Sequence, residues 1–526
     1  MSRLFRLLKA AFGKEVCADS SQFPVSVVAC TVPSKRFADA GAELKKAYAL
    51  LVAEWATDES AFGRGYGVFA CYRWAKDCII VKASLPADDP SFPTLTMSYA
   101  PAFRFERQMR SLMGVEPAGH PDLRPWIAFE DWPADAHPLR KSFDAAQPLT
   151  RGSGSYPWIR AEGEGIYEIP VGPVHAGIIE PGHFRFQALG EDVVNLEERL
   201  GYVHKGIEKR FESLTWEQGH RLAGRVSGDT TVAHALGYCM ALESMAGCRV
   251  PERAHWIRAL LLERERIANH CGDLGAIAND AAFAFLWYQM MRLKEMMLRT
   301  NQALFGHRFM MDCVVPGGVT SDLTEAALKD MAHEVAVFLK EFDRLVTIYD
   351  DNASLDDRVR LTGVLSPKKA LDLCVVGVVA RASGINHDCR IFHPFPPYDR
   401  PEEIELDVPV LVGGDVQARA WIRVLEVRES VRLIRYLCEK LPAGPLHERL
   451  DAPPPGVAGF AAVEGWRGEI IYWLQSGPGG EVNRCMVRDP SSLNWIGLEQ
   501  AVPGNIVPDF PLCNKSFNQS YSGHDL

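Results

Sequence analysis

The sequence predicts an α+β N-terminal domain followed by a mostly α-helical domain that carries a small antiparallel sheet. Three observations lead there. At 526 residues the chain is too long for one compact core. Residues 141–165, KSFDAAQPLTRGSGSYPWIRAEGEG, are rich in Gly, Ser and Pro and have neither helical nor strand period, which is linker composition. Before that stretch the pattern is mixed, and from about residue 215 it becomes helical and stays so. The expected division is a tail over 1–20, the α+β domain over 21–145, a linker over 146–165 and the main domain over 166–526.

In the first domain Phe37, Ala40, Leu44, Ala47, Leu51 and Trp55 fall on one stripe and predict a helix over 37–55. Residues 78–83 and 94–99 read as short strands. Residues 166–200 alternate and turn often, as antiparallel strands do, with Phe184 and Phe186 on one face and Arg185 on the other. Thr215 and Gln218 have capping-box spacing for a first helix. Val232, Leu236, Met240 and Glu243 follow at helical spacing. Pro251 suits a first helical position and opens a segment through Ala278, and a further helix lies near 283–304. Ser366 and Pro367 read as the N-cap and first-turn proline of a helix through Arg381. Val416–Lys440 is another long helix, and strands return near 461–474. There is no internal repeat and no low-complexity tract.

The charge balance, 57 basic against 67 acidic residues, gives −10 and argues against a nucleic-acid partner, since phosphate contact needs clustered Lys and Arg. No charge-free apolar run reaches the roughly 20 residues of a membrane helix, and residues 1–14 lack the apolar core and cleavage site of a signal peptide. The 13 cysteines are scattered and include no CxxC pair. That fits buried thiols in a reducing compartment, not a disulfide framework, a structural zinc or a self-held iron–sulfur cluster. Walker and GxGxxG spacings are absent, so no nucleotide site is read.

Several clusters are candidates for chemistry. Gly172-Pro173-Val174-His175 and Glu180-Pro181-Gly182-His183 place two His and one Glu in a Gly/Pro-rich turn, either a plain hairpin or a set of proton carriers facing a cavity. The polar run 225–231 precedes a helix that Asp229 would cap. Glu263, Arg264, Glu265, Arg266, His270 and Asp273 have i,i+3 and i,i+4 spacing and read as a solvated salt-bridge face. Asp280 abuts an apolar aromatic run, where a carboxylate is desolvated and its pKa raised. Arg381 to Arg390, with Asp388 between them, alternates sign as an ion-pair lattice does.

Together these segments carry a resemblance. Residues 105–114 and Gly119-His120-Pro121-Asp122-Leu123-Arg124 resemble the signature of the 30-kDa subunit of respiratory complex I. GPVHAGIIEPGHFRF (172–186), GYVHKGIEK (201–209), NHCGDLGAIANDAAF (269–283) and RASGINHDCR (381–390) resemble its 49-kDa subunit. They are still more similar to the large subunit of membrane-bound [NiFe] hydrogenases of the formate hydrogenlyase type, in which the same two modules are fused in this order. The resemblance implies a hydrogenase-large-subunit, or 49-kDa-like, fold for residues 166–526.

The departures carry as much information. Those hydrogenases hold nickel and iron with two CxxC pairs. The first pair falls here at Ser227 and Thr230, the second at Ser520 and Gly523, so all four thiolates are missing and a nickel–iron centre is not expected. Against complex I, Gly228 stands in place of the quinone-binding tyrosine. The quinone-loop histidine maps near Ile179, between His175 and His183. Its acidic partner is matched by Asp280. The histidine beside the terminal cluster falls at Met310 or Met311. Arg225, which faces the cluster in the family, is kept.

The resemblance therefore implies a non-hydrogenase electron-transfer subunit that takes electrons from an iron–sulfur small subunit of the 20-kDa type. A ferredoxin-like subunit and antiporter-like membrane pump subunits complete the expected partners, and the expected place is the cytoplasmic face of the membrane, held through those partners. The acceptor is expected to be a quinone or a similar small molecule. Glu180, His183, Asp229 and Asp280 are the expected proton carriers. His175, Arg225, Ser227, Gly228, Thr230, Arg381, Asp388 and Ser520 are the expected acceptor-site residues, with no metal ligand. A redox-silent scaffold, and then an active hydrogenase with substituted ligands, are the alternatives.

Overall fold

The computed structural model describes residues 2–19, 27–177 and 179–526. In the N-terminal module, strands β1 (Cys17–Ala18), β2 (Val28–Thr31), β3 (Leu50–Asp58), β4 (Tyr66–Trp74) and β5 (Asp77–Leu85) form one sheet in the order β1–β2–β5–β4–β3. β2 and β5 run parallel and the other neighbours antiparallel. Helices α1 (Arg3–Phe12), α2 (Phe37–Lys46) and α3 (Ala102–Met113) belong to this module.

Three expectations are corrected here. The expected tail is instead α1, capped by the Ser2 hydroxyl and anchored by buried Leu4, Phe5 and Leu8, with β1 after it. The helix expected over 37–55 stops at Lys46, because Tyr48 turns the chain with a φ of 63°. Leu51 and Trp55 lie in β3; four residues apart, they satisfy a strand's period of two as well as a helical stripe. The strand expected at 94–99 is a turn, gathered by the Glu106 carboxylate of α3, which accepts from the Thr94 and Thr96 hydroxyls and the Leu95 N–H. Residues 146–165 contain no regular element, yet the segment is tied down. Arg107 donates to the Tyr156 hydroxyl at 2.9 Å, and the Trp158 ring lies 4.8 Å from that of His183.

In the main domain, β6 (Ile166–Val171), β7 (His183–Leu189) and β8 (Asp192–Arg199) form an antiparallel sheet with β7 central. The buried Phe184 and Phe186 face the Phe510 ring, 4.8 Å from each. The helical body comprises α4 (Thr231–Ala246), α5 (Glu252–Asp280), α6 (Ala284–Phe305), α7 (Glu325–Asp350), α8 (Pro367–Asp372), α9 (Gly377–Ala382) and α10 (Val416–Lys440). The helix expected from Ser366 through Arg381 is two short ones. Cys374 and Gly377 have φ of 52° and 64°, and a Cβ on Gly377 would sit 2.0 Å from the Arg467 carbonyl. Only glycine permits that approach.

A second antiparallel sheet, β9 (Ala458–Glu464), β10 (Glu469–Ser476) and β11 (Val482–Arg488), joins the modules. Its residues are buried throughout because both faces are covered. On one face the Trp473 ring packs 5.4 Å from Trp55 and 5.1 Å from Phe69 of the N-terminal sheet. On the other, the Tyr472 hydroxyl lies 3.0 Å from His234 of α4. Two short helices, α11 (Phe510–Phe517) and α12 (Tyr521–Asp525), close the chain against α5 and the turn before α4.

The charges of α5 are not a solvated face. Glu263, Arg264, Glu265, Arg266, His270 and Asp273 are all buried. Glu263 receives Arg390 at 2.9 Å, Arg264 donates to Glu334 at 2.9 Å, His270 meets Glu426 at 2.7 Å and Arg423 donates to Asp273 at 2.7 Å. The partners come from distant segments, so local spacing could not reveal them.

Candidate functional site

The turn before α4, the β9–β10 turn, the loop between β6 and β7, and the α11–α12 segment converge on an open cavity of about 320 Å³. Its floor is a hydrogen-bonded cluster. Gly523 N–H donates to Ser520 Oγ at 2.8 Å, Ser520 Oγ lies 2.8 Å from Ser227 Oγ, and Ser227 donates to Asp229 Oδ1 at 2.9 Å. An ionised carboxylate only accepts, which fixes the direction of this hydroxyl chain toward Asp229. From the opposite side Arg467 grips both Asp229 oxygens, at 2.7 and 2.6 Å, and donates to Thr230 Oγ1 at 2.9 Å and to the Asn518 carbonyl at 2.6 Å. Burial pushes the Asp229 carboxyl up. The Arg467 guanidinium and the Ser227 and Thr230 hydroxyls outweigh this and hold it well below the usual carboxylate range.

The cavity thus gathers Glu180, Ser227, Gly228, Asp229 and Ser520 of the expected residues, with Thr230 bonded directly behind Asp229. Glu180 accepts from the Ser522 N–H at 3.1 Å. Asp280 stands one step back. Burial raises its carboxyl pKa, and the nearby ammonium of Lys515, which lines the cavity, offsets part of that rise. Arg225 lies at the surface, where its guanidinium forms a two-pronged pair with Asp312. A Cβ on Gly228 would stand 3.9 Å from the Met311 methyl, so this surface adjoins the cavity.

Four expected residues lie elsewhere. His183 is buried below Trp158 with Nδ1 on the Gly172 carbonyl at 2.9 Å; burial, then the neighbouring Arg199 and Arg185, lower its pKa. His175 closes the same loop through the Gly182 carbonyl at 2.8 Å. Both histidines hold the hairpin and neither lines the cavity. Arg381 and Asp388 belong to the buried lattice. Arg381 donates to Glu426 and Glu464 at 2.7 and 2.8 Å, and Asp388 binds Arg390 at 2.7 Å. Their partners are other protein groups, among them the His387 carbonyl for Arg381 and the Arg390 N–H for Asp388, and neither residue lines the cavity.

Sequence reasoning missed Arg467, Lys515, Asn518 and Gln519. Arg467 sits in the turn Gly465-Trp466-Arg467-Gly468 between two strands, a turn signal that was open to reading; the other three gave no local signal. Away from the cavity, His387, Cys389 and Glu469 bring ligand-type atoms within 4.8 Å of one another. Arg73 donates to both His387 and Glu469, and Arg488 also donates to Glu469, so guanidinium groups already occupy the carboxylate.

The architecture has relatives. The model of the 49-kDa subunit of respiratory-chain NADH dehydrogenase matches residues 280–457, and that of its 30-kDa subunit matches residues 30–148. Formate hydrogenlyase subunit 5 of Escherichia coli K12 is 32% identical over 465 residues, covering 88% of this chain and 81% of that protein. The chain belongs to this family. It is a fusion of the 30-kDa and 49-kDa modules of complex I, related to hydrogenase large subunits. The carbon monoxide-induced hydrogenase of Rhodospirillum rubrum is 34% identical, over 68% of this chain and 98% of that one. A chain of the membrane-bound sulfane sulfur reductase, an archaeal respiratory membrane complex, superposes with a TM-score of 0.65 at 26% identity, over 70% of this chain and all of that one. Among the described residues no helix is long and apolar enough to cross a membrane.

Proposed function

We propose that this chain is the acceptor-side subunit of a membrane-associated respiratory complex. Electrons reach it from an iron–sulfur cluster of a partner small subunit and reduce a quinone or similar small acceptor in a metal-free cavity. Ion-pumping membrane partners hold the assembly at the cytoplasmic face. The observation that carries this is the cavity itself: open, lined by hydrogen-bonding groups, and adjoining the surface of Arg225, the residue that the resemblance implies faces the partner's cluster.

A nickel–iron centre does not fit the donor set. Hydroxyls stand at 227, 230 and 520, and thiolates are what nickel needs. Thr230 already accepts from Arg467 and from the Trp466 indole at 3.0 Å. At the fourth position a Cβ on Gly523 would lie 2.6 Å from the Asp489 carboxylate, which His234 holds at 3.0 Å. Reduction of a quinone takes up two electrons and two protons. Asp280 is the proton carrier supported by its environment and Glu180 the one supported by its place on the wall, whereas Asp229, locked to Arg467, serves to orient. Lys515 is the donor for an acceptor oxygen, because the single protons of the Ser227 and Ser520 hydroxyls are already given along the chain to Asp229.

Asp280→Asn with Glu180→Gln tests the reading in the native complex. Acceptor reduction by a reduced viologen falls while the partner cluster still becomes reduced. Unchanged turnover would remove both residues from the proton path. The Arg467–Asp229 lock also favours a second reading, a redox-silent scaffold, and a reducible partner cluster with no acceptor-dependent viologen oxidation, in wild type and variants alike, would be its signature.

A further inference from the structure

Behind Asp229, away from the large cavity, lies a second and much smaller one of about 10 Å³, room for about one water. Glu265 of α5, Lys294 and Asn301 of α6, and Met310 line it, and among the described residues Asp229 is the one that borders both cavities. Glu265 is 4% exposed. Its oxygens accept only backbone N–H groups, from Val232 at 2.7 Å and Ala233 at 3.2 Å at the start of α4. This contrasts with Glu263 and Asp273 of the same helix, each matched by arginine. This buried carboxylate, one water's width from the acceptor cavity, has no guanidinium partner and is held in its charged form by two backbone N–H groups alone.

We propose that Glu265 is the proton reservoir of the acceptor cavity, handing a proton across the one-water cavity and the Asp229 turn when an acceptor is reduced. The inference rests on the acceptor-reduction reading above. For a quinone, two electrons from the partner's cluster and two protons make the quinol. The O–H bond of Glu265 breaks, one acceptor O–H bond forms, and the Glu265 carboxylate regains a proton from solvent on the Lys294 side, which is half-exposed. The second proton comes from the Asp280 side.

The surroundings agree with this role. Burial pushes the Glu265 carboxyl up to about 8, against the two backbone N–H donors, and the negative charge of Asp229 adds to the rise. The charged groups facing it are Asp229 in the turn before α4, Lys294 on α6 across the small cavity, and Arg266 on its own helix, which lowers the pKa and donates to the Glu464 and Gly465 carbonyls. Electron arrival in the neighbouring cavity adds negative charge and is balanced by proton movement, so such a residue couples the two.

Infrared difference spectroscopy on the native complex tests this without any variant. A carboxylic-acid carbonyl band should titrate with a midpoint of about 8 and change on reduction with viologen plus a short-chain quinone. Glu265→Gln should remove that band and lower quinone-dependent turnover by about 100-fold at neutral pH, with viologen reduction of the partner cluster intact. Asp229→Asn should move the band's midpoint down. If no carboxylic-acid band titrates near that value, or if Glu265→Gln keeps both the wild-type rate and its pH profile, the reservoir is refuted while acceptor reduction stands. If wild-type complex shows no acceptor-dependent turnover but the band titrates as described, the acceptor reading fails and the reservoir loses its reaction.

Discussion

Arg467 holds the floor of the cavity together, and its removal has a size that follows from the geometry. Its guanidinium makes bonds of 2.6–2.9 Å to both Asp229 oxygens, the Thr230 hydroxyl and the Asn518 carbonyl. Breaking a dry ion pair by deleting one partner costs about 3–5 kcal/mol. Asp229 is not left dry, because 39% of its side chain opens on the cavity and the Ser227 and Thr230 hydroxyls still donate to it. Arg467→Ala should therefore destabilise by about 1–3 kcal/mol, between the exposed and buried limits, and lower the thermal midpoint of the complex by a few degrees. Arg467→Lys keeps the charge but loses the fork, and should fall between. The pH dependence has a defined sign. The folded Asp229 carboxyl lies below its unfolded value, so its stabilisation is complete above the unfolded value of about 4 and is lost as pH falls toward the folded one. The gap between wild type and Arg467→Ala should narrow below about pH 4. Thermal inactivation of the purified complex across that range is the assay. A variant as stable as wild type at neutral pH, or a gap that widens in acid, would refute the reasoning.

Three further outcomes are expected. Glu54 of β3 is buried at the junction of the two modules with neither oxygen bonded, and burial raises its carboxyl well above the usual range. Glu54→Gln should be the more thermostable form at neutral pH, with the two proteins converging below about pH 4, where the unfolded chain is protonated as well. Gly523→Ala should cost about 1–3 kcal/mol through the clash with Asp489, and Gly523→Cys should behave alike and bring no nickel by metal analysis. Arg381→Met leaves Glu426 and Glu464 facing one another without their shared cation and should cost about 3–5 kcal/mol, read as loss of assembled complex or a large drop in thermal midpoint.

Long helices with clear ends are legible in the sequence: 416–440 with its observed bounds, and 283–304 within a residue at each end. The helix at 325–350 was open to reading and was missed, although Thr324 caps it and Met331, Val335, Phe338, Phe342 and Leu345 mark its stripe. Boundaries failed where backbone geometry decides, at Tyr48 and at Cys374 and Gly377. For the site, motif position led to Ser227, Asp229, Ser520 and Glu180, which do meet at one cavity. The same reasoning put Arg381, Asp388 and His183 there too, because a charged motif reads alike whether its partners are a ligand or buried protein charges. Arg467 and Lys515 come from turns and short helices far along the chain, and only folding brings them to Asp229 and Asp280.

The central claim is that the cavity reduces an acceptor without nickel. Its most direct test is viologen reoxidation by the native complex, purified with its small subunit and analysed for metal, with and without a short-chain quinone. The account predicts quinone-dependent turnover at nickel contents far below one per chain, lost when Lys515 and Asp280 are replaced. Stoichiometric nickel with hydrogen-driven viologen reduction would contradict it, as would a reducible cluster that passes electrons to no acceptor.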